Sequence, residues 1–172
     1  MAAELRKRSR PLLLVDIDGV LSLWGFDPNR RPAGIFTSVE GIVHFLSEEA
    51  ARHLLALTSD FDPVWCTGWE EKANEHLPSV LGLGPFPYLS FDAHVSSGET
   101  TPGHWKLGAI DAYAGDRALA WIDDAFNDAC FAWARAREAP TLLVPTTPES
   151  GLVASHFETL RAWAASHAAR PA

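Results

Sequence analysis

Leu12-Leu13-Leu14-Val15 runs straight into Asp16-Ile17-Asp18-Gly19-Val20. Four apolar residues without alternation read as a short strand buried on both faces, so the two carboxylates stand where that strand meets its loop. Like charges placed that close raise one another's pKa, and a strand that serves packing alone has little reason to end on them. The pair suits chemistry in which one carboxylate attacks while the other moves a proton.

Outward from this strand the pattern alternates. Leu21 to Arg31 mixes Trp24, Gly25, Phe26, Pro28 and Asn29, and Ile35 to Leu46 is partly alternating, which together read as a flap or hairpin over about residues 19–46. Ser47-Glu48-Glu49 is an N-cap followed by acids that favour the helix dipole, and it opens a helix through about Leu57. Val64-Trp65-Cys66 reads as a second buried strand ending at Thr67-Gly68-Trp69. A helix follows from Glu70 to about Val80, tolerating Pro78 and stopped by Gly82 and Gly84. Tyr88 to Phe91 is a third strand, Trp105 to Tyr113 a helix, and Ala118 to Ile122 a fourth strand ending at Asp123-Asp124. Phe126 to Arg137 is helical, Leu142 to Val144 a fifth strand, and Leu152 to His167 a closing helix.

Strands alternating with helices imply an α/β fold with a central parallel sheet and helices on both faces. Ligands in such folds bind at the carboxyl ends of the strands. Asp16/Asp18, Thr67 and Asp123/Asp124 all fall at such ends. Each alone could simply cap a strand or the next helix; three together point to a site.

The 172 residues, 47% hydrophobic and 21% charged, fit one globular unit spanning residues 1–172 and argue against disorder. Two cysteines, Cys66 and Cys130, are too few for a disulfide framework and lack metal-ligand spacing; a reducing cytoplasm is the expected compartment. Arg6, Lys7, Arg8 and Arg10 before an apolar run superficially resemble a signal peptide, but Asp16 and Asp18 break that run too early, and no stretch is long enough to span a membrane. The net charge of −8 weakens any reading of broad nucleic-acid affinity, because phosphate backbones are held through Lys and Arg. Arg30 and Arg31, with the N-terminal cluster, remain a candidate basic patch against the plainer reading of solvated arginines.

The ordered set Asp16-x-Asp18, Thr67, Lys106 and Asp123-Asp124 resembles the haloacid dehalogenase superfamily, over a span from about Leu12 to Asp128. Within it, Asp16-Ile17-Asp18-Gly19-Val20, Cys66-Thr67-Gly68-Trp69 with Ala73-Asn74, and Trp121-Ile122-Asp123-Asp124 are similar to the domain found in bacterial Swiss Army Knife RNA-repair proteins and in free-standing actinobacterial proteins. The resemblance implies a three-layer Rossmann-like fold and a magnesium-dependent phosphatase. Asp16 would be the nucleophile, ionised at neutral pH with an ordinary pKa. Asp18 would be the acid-base partner, its pKa raised by burial and by Asp16. Gly19 would let the phosphate approach the backbone, while Thr67 and the Gly68 amide would bind phosphoryl oxygens.

Lys106 would offset the phosphoryl charge and steady Asp16; its plain reading, a solvated lysine at a helix start, is disfavoured by the helix dipole. Lys72 is its rival for that role. Magnesium would be held by Asp16, the Asp18 backbone carbonyl and one or both of Asp123 and Asp124, with Asp128 a weaker third acid. Which late acid binds directly stays open.

The scattered histidines His44, His53, His76, His94, His104, His156 and His167 show no zinc pattern, and only His104 is placed near the site. Trp24 and Trp69 are candidates to frame a substrate, against a default of core packing. About 50 residues separate Asp18 from Thr67 and about 40 separate Thr67 from Lys106, leaving little room for a large cap domain. An open site admits a phosphorylated small molecule or a macromolecule, including a nucleic-acid end. The competing readings are a non-catalytic module that binds a metal or partner, a small-metabolite phosphatase, or another reaction on the same scaffold such as phosphoryl transfer or dehalogenation.

Overall fold

All four residues of β1 (Leu12–Val15) are essentially inaccessible to solvent, as an unalternating apolar run requires of a central parallel strand. The computed structural model describes residues 10–91 and 103–167. β1 pairs in parallel with β5 (Asp62–Trp65) on one side and with β6 (Leu119–Asp123) on the other, and β6 pairs in parallel with β7 (Thr141–Pro145). The four-stranded sheet therefore has the order β5-β1-β6-β7.

Alternate residues of these strands feed two separate cores. Leu13, Val15, Trp65, Ala120 and Ile122 pack with Leu54 and Leu57 of α1 (Glu48–Leu57), Ala73 and Leu77 of α2 (Lys72–Leu81) and Leu160 of α5 (Ala154–His167). Leu12, Leu14, Val64, Cys66, Leu119 and Trp121 pack with Ile110 of α3 (Leu107–Ala114) and Cys130 of α4 (Asp128–Ala136) on the other face. Burying a large aliphatic side chain is worth about 1.5–3 kcal/mol, so these two layers hold the strand ends in place.

Local signals fix the helix ends. Ser47 Oγ accepts the Ala50 N–H at 3.1 Å and opens α1, with Glu48 and Glu49 in the first turn as expected. Gly82, at φ +68°, ends α2 in the left-handed conformation that glycine takes without a Cβ penalty. The helices begin slightly later than the pattern suggests, at Lys72 rather than Glu70 and at Leu107 rather than Trp105.

Between β1 and α1 the chain builds a second sheet from β2 (Ser22–Leu23), β3 (Gly34–Val39) and β4 (Ile42–Ser47), antiparallel in the order β2-β4-β3. This is the expected flap, with one more strand than a simple hairpin. Its register puts Phe36 opposite Phe45 and Thr37 opposite His44, so His44 lies on the face opposite Phe36.

The strand expected over Tyr88 to Phe91 is reduced to a single bridge between Trp65 and Tyr88. Pro85 and Pro87 carry no N–H to donate, and pairing with β5 is limited to Trp65 N–H to the Pro87 carbonyl and Leu89 N–H to the Trp65 carbonyl. Arg6, Lys7, Arg8 and His94 lie outside the described residues. Among the described residues no helix is long and apolar enough to cross a membrane.

Candidate active site

The carboxyl ends of β1, β5 and β6 bring Asp16, Thr67 and Asp123 to one edge of the sheet. The loop after β1 doubles back at once, with Val20, Leu21 and Ser22 all donating N–H groups to the Ile17 carbonyl. Gly19 makes that turn possible. Its φ is +73°, and a Cβ there would stand 2.3 Å from the Asp124 carboxylate carbon, so any side chain is excluded both by backbone conformation and by its neighbour. Thr146, just past β7, ties the loop down by donating its hydroxyl to the Gly19 carbonyl at 2.8 Å.

Lys106 is the electrostatic centre. It precedes α3, where a cation is disfavoured by the helix dipole, yet its side chain is 3% exposed. Its Nζ lies 2.8 Å from Asp16 Oδ2 and 2.6 Å from Asp123 Oδ2. Burial opposes the ammonium, but Asp16 and Asp123 outweigh that cost and raise the Lys106 pKa above its usual value. A buried charge of this kind is sustained only by partners in good geometry.

Burial raises the pKa of Asp16 above the ordinary carboxylate value; Lys106 pulls it down and Asp123 adds to the rise. Its Oδ1 accepts the Ile17 N–H at 2.7 Å and its Oδ2 the Lys106 ammonium, so both oxygens are oriented. The expectation that burial falls on Asp18 is corrected here. The Asp18 side chain is 47% exposed, and the desolvated member of the pair is Asp16. The reason is the tight turn at Ile17: it ends the strand after Asp16 and turns Asp18 out to the mouth of the site.

Asp123 and Asp124 divide their work. Asp123 is fully buried and its carboxylate is taken up by the protein: Oδ2 receives Lys106 and the Trp121 indole N–H at 3.1 Å, and Oδ1 receives the Ala125 N–H at 3.0 Å. The Asp124 carboxylate takes no side-chain donor among the described residues; burial first, then Asp123, raises its pKa, and a hydrogen bond from its own backbone amide opposes the rise. Asp16, Asp123 and Asp124 each offer an oxygen, all within 4.8 Å of one another. Three carboxylates around one ammonium leave an excess of negative charge in hard oxygen donors, which is the donor set that divalent cations such as magnesium take. The Asp18 side chain is outside this cluster.

Thr67 is fully buried, and its Oγ1 accepts the Trp69 N–H at 3.3 Å. Gly68 beside it is exposed. Trp69 turns its indole across the site, donating Nε1–H to Asp18 Oδ2 at 3.1 Å. His44 reaches in from the flap: its ring meets Trp69 edge-on with centroids 4.6 Å apart, its Nδ1 is 3.0 Å from Ser22 Oγ and 3.7 Å from Asp18 Oδ1.

The sequence reading places only His104 near the site, and His44 joins it from the flap. The available signal was the period-2 pattern of β4, which puts His44 on the same face as the buried Leu46. The Trp121 indole contact to Asp123 was also missed. His104 is near the site as expected, accepting the Lys106 N–H at Nδ1 and packing against Trp121.

Other candidates stand apart. Lys72 pairs with Glu40 of the flap at 2.6 Å and is not in the acidic cluster. Asp128 is an exposed first residue of α4, behind the Asn127 N-cap. Trp24 is 49% exposed, and its N–H bonds the Pro148 carbonyl. Arg30 is exposed, and Arg31 lies over the Phe36 ring of the flap at 5.9 Å. The chain matches no protein-family model and no curated protein sequence.

Proposed function

We propose that the chain is a magnesium-dependent phosphohydrolase that cleaves phosphomonoesters through an aspartyl-phosphate on Asp16, the chemistry of the haloacid dehalogenase superfamily it resembles. The observation that carries this reading is the shared buried ammonium, with Lys106 Nζ 2.8 Å from Asp16 Oδ2 and 2.6 Å from Asp123 Oδ2. The strand order supports it, since β1 lies between β5 and β6 and so sets all the acids and Thr67 side by side.

In this reading Asp16 attacks phosphorus from a carboxylate already oriented by Ile17 and Lys106, which lowers the cost of reaching the reactive geometry. Asp18, half-exposed at the mouth, protonates the leaving oxygen and later takes a proton from the attacking water. The Thr67 oxygen accepts from Trp69, so its own hydrogen is free for a phosphoryl oxygen, and the Gly68 amide adds a second donor. Asp16, Asp124 and the Asp18 backbone carbonyl would hold magnesium, which when bound offsets the charge of the phosphoryl oxygens. Asp123 then serves chiefly to hold Lys106. The site opens beneath a three-stranded flap, which suits a phosphate carried by a small molecule or by a macromolecule such as a nucleic-acid end.

The test is hydrolysis of p-nitrophenyl phosphate with magnesium and with excess chelator, by wild type and by Asp16→Asn. The reading expects turnover by wild type with magnesium alone. Activity retained in chelator, or by a folded Asp16→Asn protein, overturns it. The same assay on small phosphomonoesters and on phosphorylated oligonucleotides identifies the substrate class.

A further inference from the structure

The geometry points to Trp69 as the positioning residue for Asp18, fixing which carboxyl oxygen carries the proton, with His44 of the flap fixing Trp69 in turn. This rests on the phosphohydrolase reading above. An indole N–H can only donate, and the Trp69 ring is 9% exposed in the turn after β5 with its Nε1 3.1 Å from Asp18 Oδ2. Oδ2 must therefore present a lone pair. A carbonyl oxygen is the better acceptor of the two in a protonated carboxyl, so the indole bond to Oδ2 favours Oδ1 as the oxygen that carries the hydrogen when Asp18 acts as the acid.

Nothing else in the described residues takes that oxygen. His44 Nδ1 stands 3.7 Å from it, beyond hydrogen-bond reach and engaged with Ser22 Oγ at 3.0 Å. The carboxyl is thus held by one oxygen and free at the other, on a side chain whose exposure would otherwise let it swing. The indole itself is braced by the edge-on His44 ring, and Glu40 of the flap that carries His44 meets Lys72 of α2 in an exposed ion pair.

The step this serves balances. As the Asp16 oxygen bonds to phosphorus, the bond from phosphorus to the leaving oxygen breaks, and the Asp18 Oδ1–H proton passes to that oxygen. Water then bonds to phosphorus, gives a proton back to Oδ1, and the Asp16–phosphorus bond breaks to release inorganic phosphate.

Trp69→Phe removes the N–H and keeps a ring. A leaving group that departs without a proton hides the loss of the acid; an alkoxide does not. General acids contribute about 10²–10⁴-fold, so a loosened Asp18 should cost kcat/KM about tenfold or more on an alkyl phosphate and clearly less on p-nitrophenyl phosphate. In an Asp18→Asn background the same change should add little, as expected for groups acting as one unit. His44→Ala, which leaves the indole in place but unbraced, should show the same dependence on leaving group in weaker form. In the metal-free protein the Trp69 indole proton should exchange slowly with solvent by NMR, and quickly in Asp18→Ala. Equal losses on both substrates for Trp69→Phe and His44→Ala, or an indole proton indifferent to Asp18, overturn the positioning role and leave the phosphohydrolase reading standing. No magnesium-dependent turnover of any phosphomonoester by wild type overturns both.

Discussion

Lys106 Nζ sits 2.6 Å from Asp123 Oδ2 and 2.8 Å from Asp16 Oδ2, joining the end of β6 to the end of β1 through a single buried ammonium. The cation is part of the fold as well as of the site. Removing it leaves two buried carboxylates facing each other without compensation.

Lys106→Met should therefore destabilise the protein by about 3 kcal/mol at neutral pH, the lower end of what breaking a buried ion pair from one side costs. Added magnesium should recover part of the loss if, as proposed, it binds the same acids, because a cation held only by the folded state favours it. Urea unfolding with and without magnesium measures both effects. A variant as stable as wild type in chelator contradicts this view of the site.

Gly19→Ala tests the turn. The new Cβ meets the Asp124 carboxylate, and φ of +73° is one that alanine resists, so the loss should exceed about 1 kcal/mol. Because the clash is with Asp124, magnesium binding measured by calorimetry should weaken as well. A protein that loses stability but binds the ion as before shows that Asp124 is not a ligand.

Much of this was written in the chain. Leu12 to Val15 read correctly because a central parallel strand is buried on both faces, and four apolar residues that end at once on Asp16 are too short for a helix. Ser47-Glu48-Glu49 read correctly because capping is local. The Tyr88 strand did not, since two prolines beside an apolar run decide how many ladder bonds can form, and only the partner strand reveals that. The acids at the strand ends were legible as a group. Which of Asp16 and Asp18 is desolvated was not, because a turn at Ile17 separates them in burial although only that one residue lies between them in sequence. His44 reaches Trp69 only through the register of the flap, which spacing along one chain does not state.

His156 offers a pH test away from the site. Val153 donates its N–H to His156 Nδ1 at 3.2 Å at the start of α5, which requires that nitrogen to be unprotonated. Burial lowers the His156 pKa below its usual 6.5. As pH falls below 6.5 the unfolded chain takes the proton first, so this contribution to stability is whole above 6.5 and is lost as pH falls through the folded-state value. Thermal melts from neutral to mildly acidic pH should fall more steeply for wild type than for His156→Gln, which cannot titrate. Parallel curves for the two proteins exclude the contribution.

The last comparison separates the late acids. Asp123 commits both oxygens to Lys106, Trp121 and the Ala125 amide, whereas Asp124, held by its own backbone amide and by no side-chain donor among the described residues, offers an oxygen to the cluster. Asp124→Asn keeps an oxygen for the backbone amide and removes a charge that no side chain among the described residues hydrogen-bonds, so the fold should tolerate it. The magnesium needed for half-saturation should rise about tenfold or more, equivalent to about 1.4 kcal/mol of binding. Asp123→Asn replaces one of two oxygens that together take three donors with an amide nitrogen that cannot accept, and it should lower the unfolding midpoint and disorder Lys106 before it affects the ion. Titrating magnesium into each metal-free variant, alongside its urea melt, distinguishes the two. If Asp123→Asn proves the weaker binder and the more stable protein, the division of labour between these neighbours is the reverse of the one their hydrogen bonds indicate.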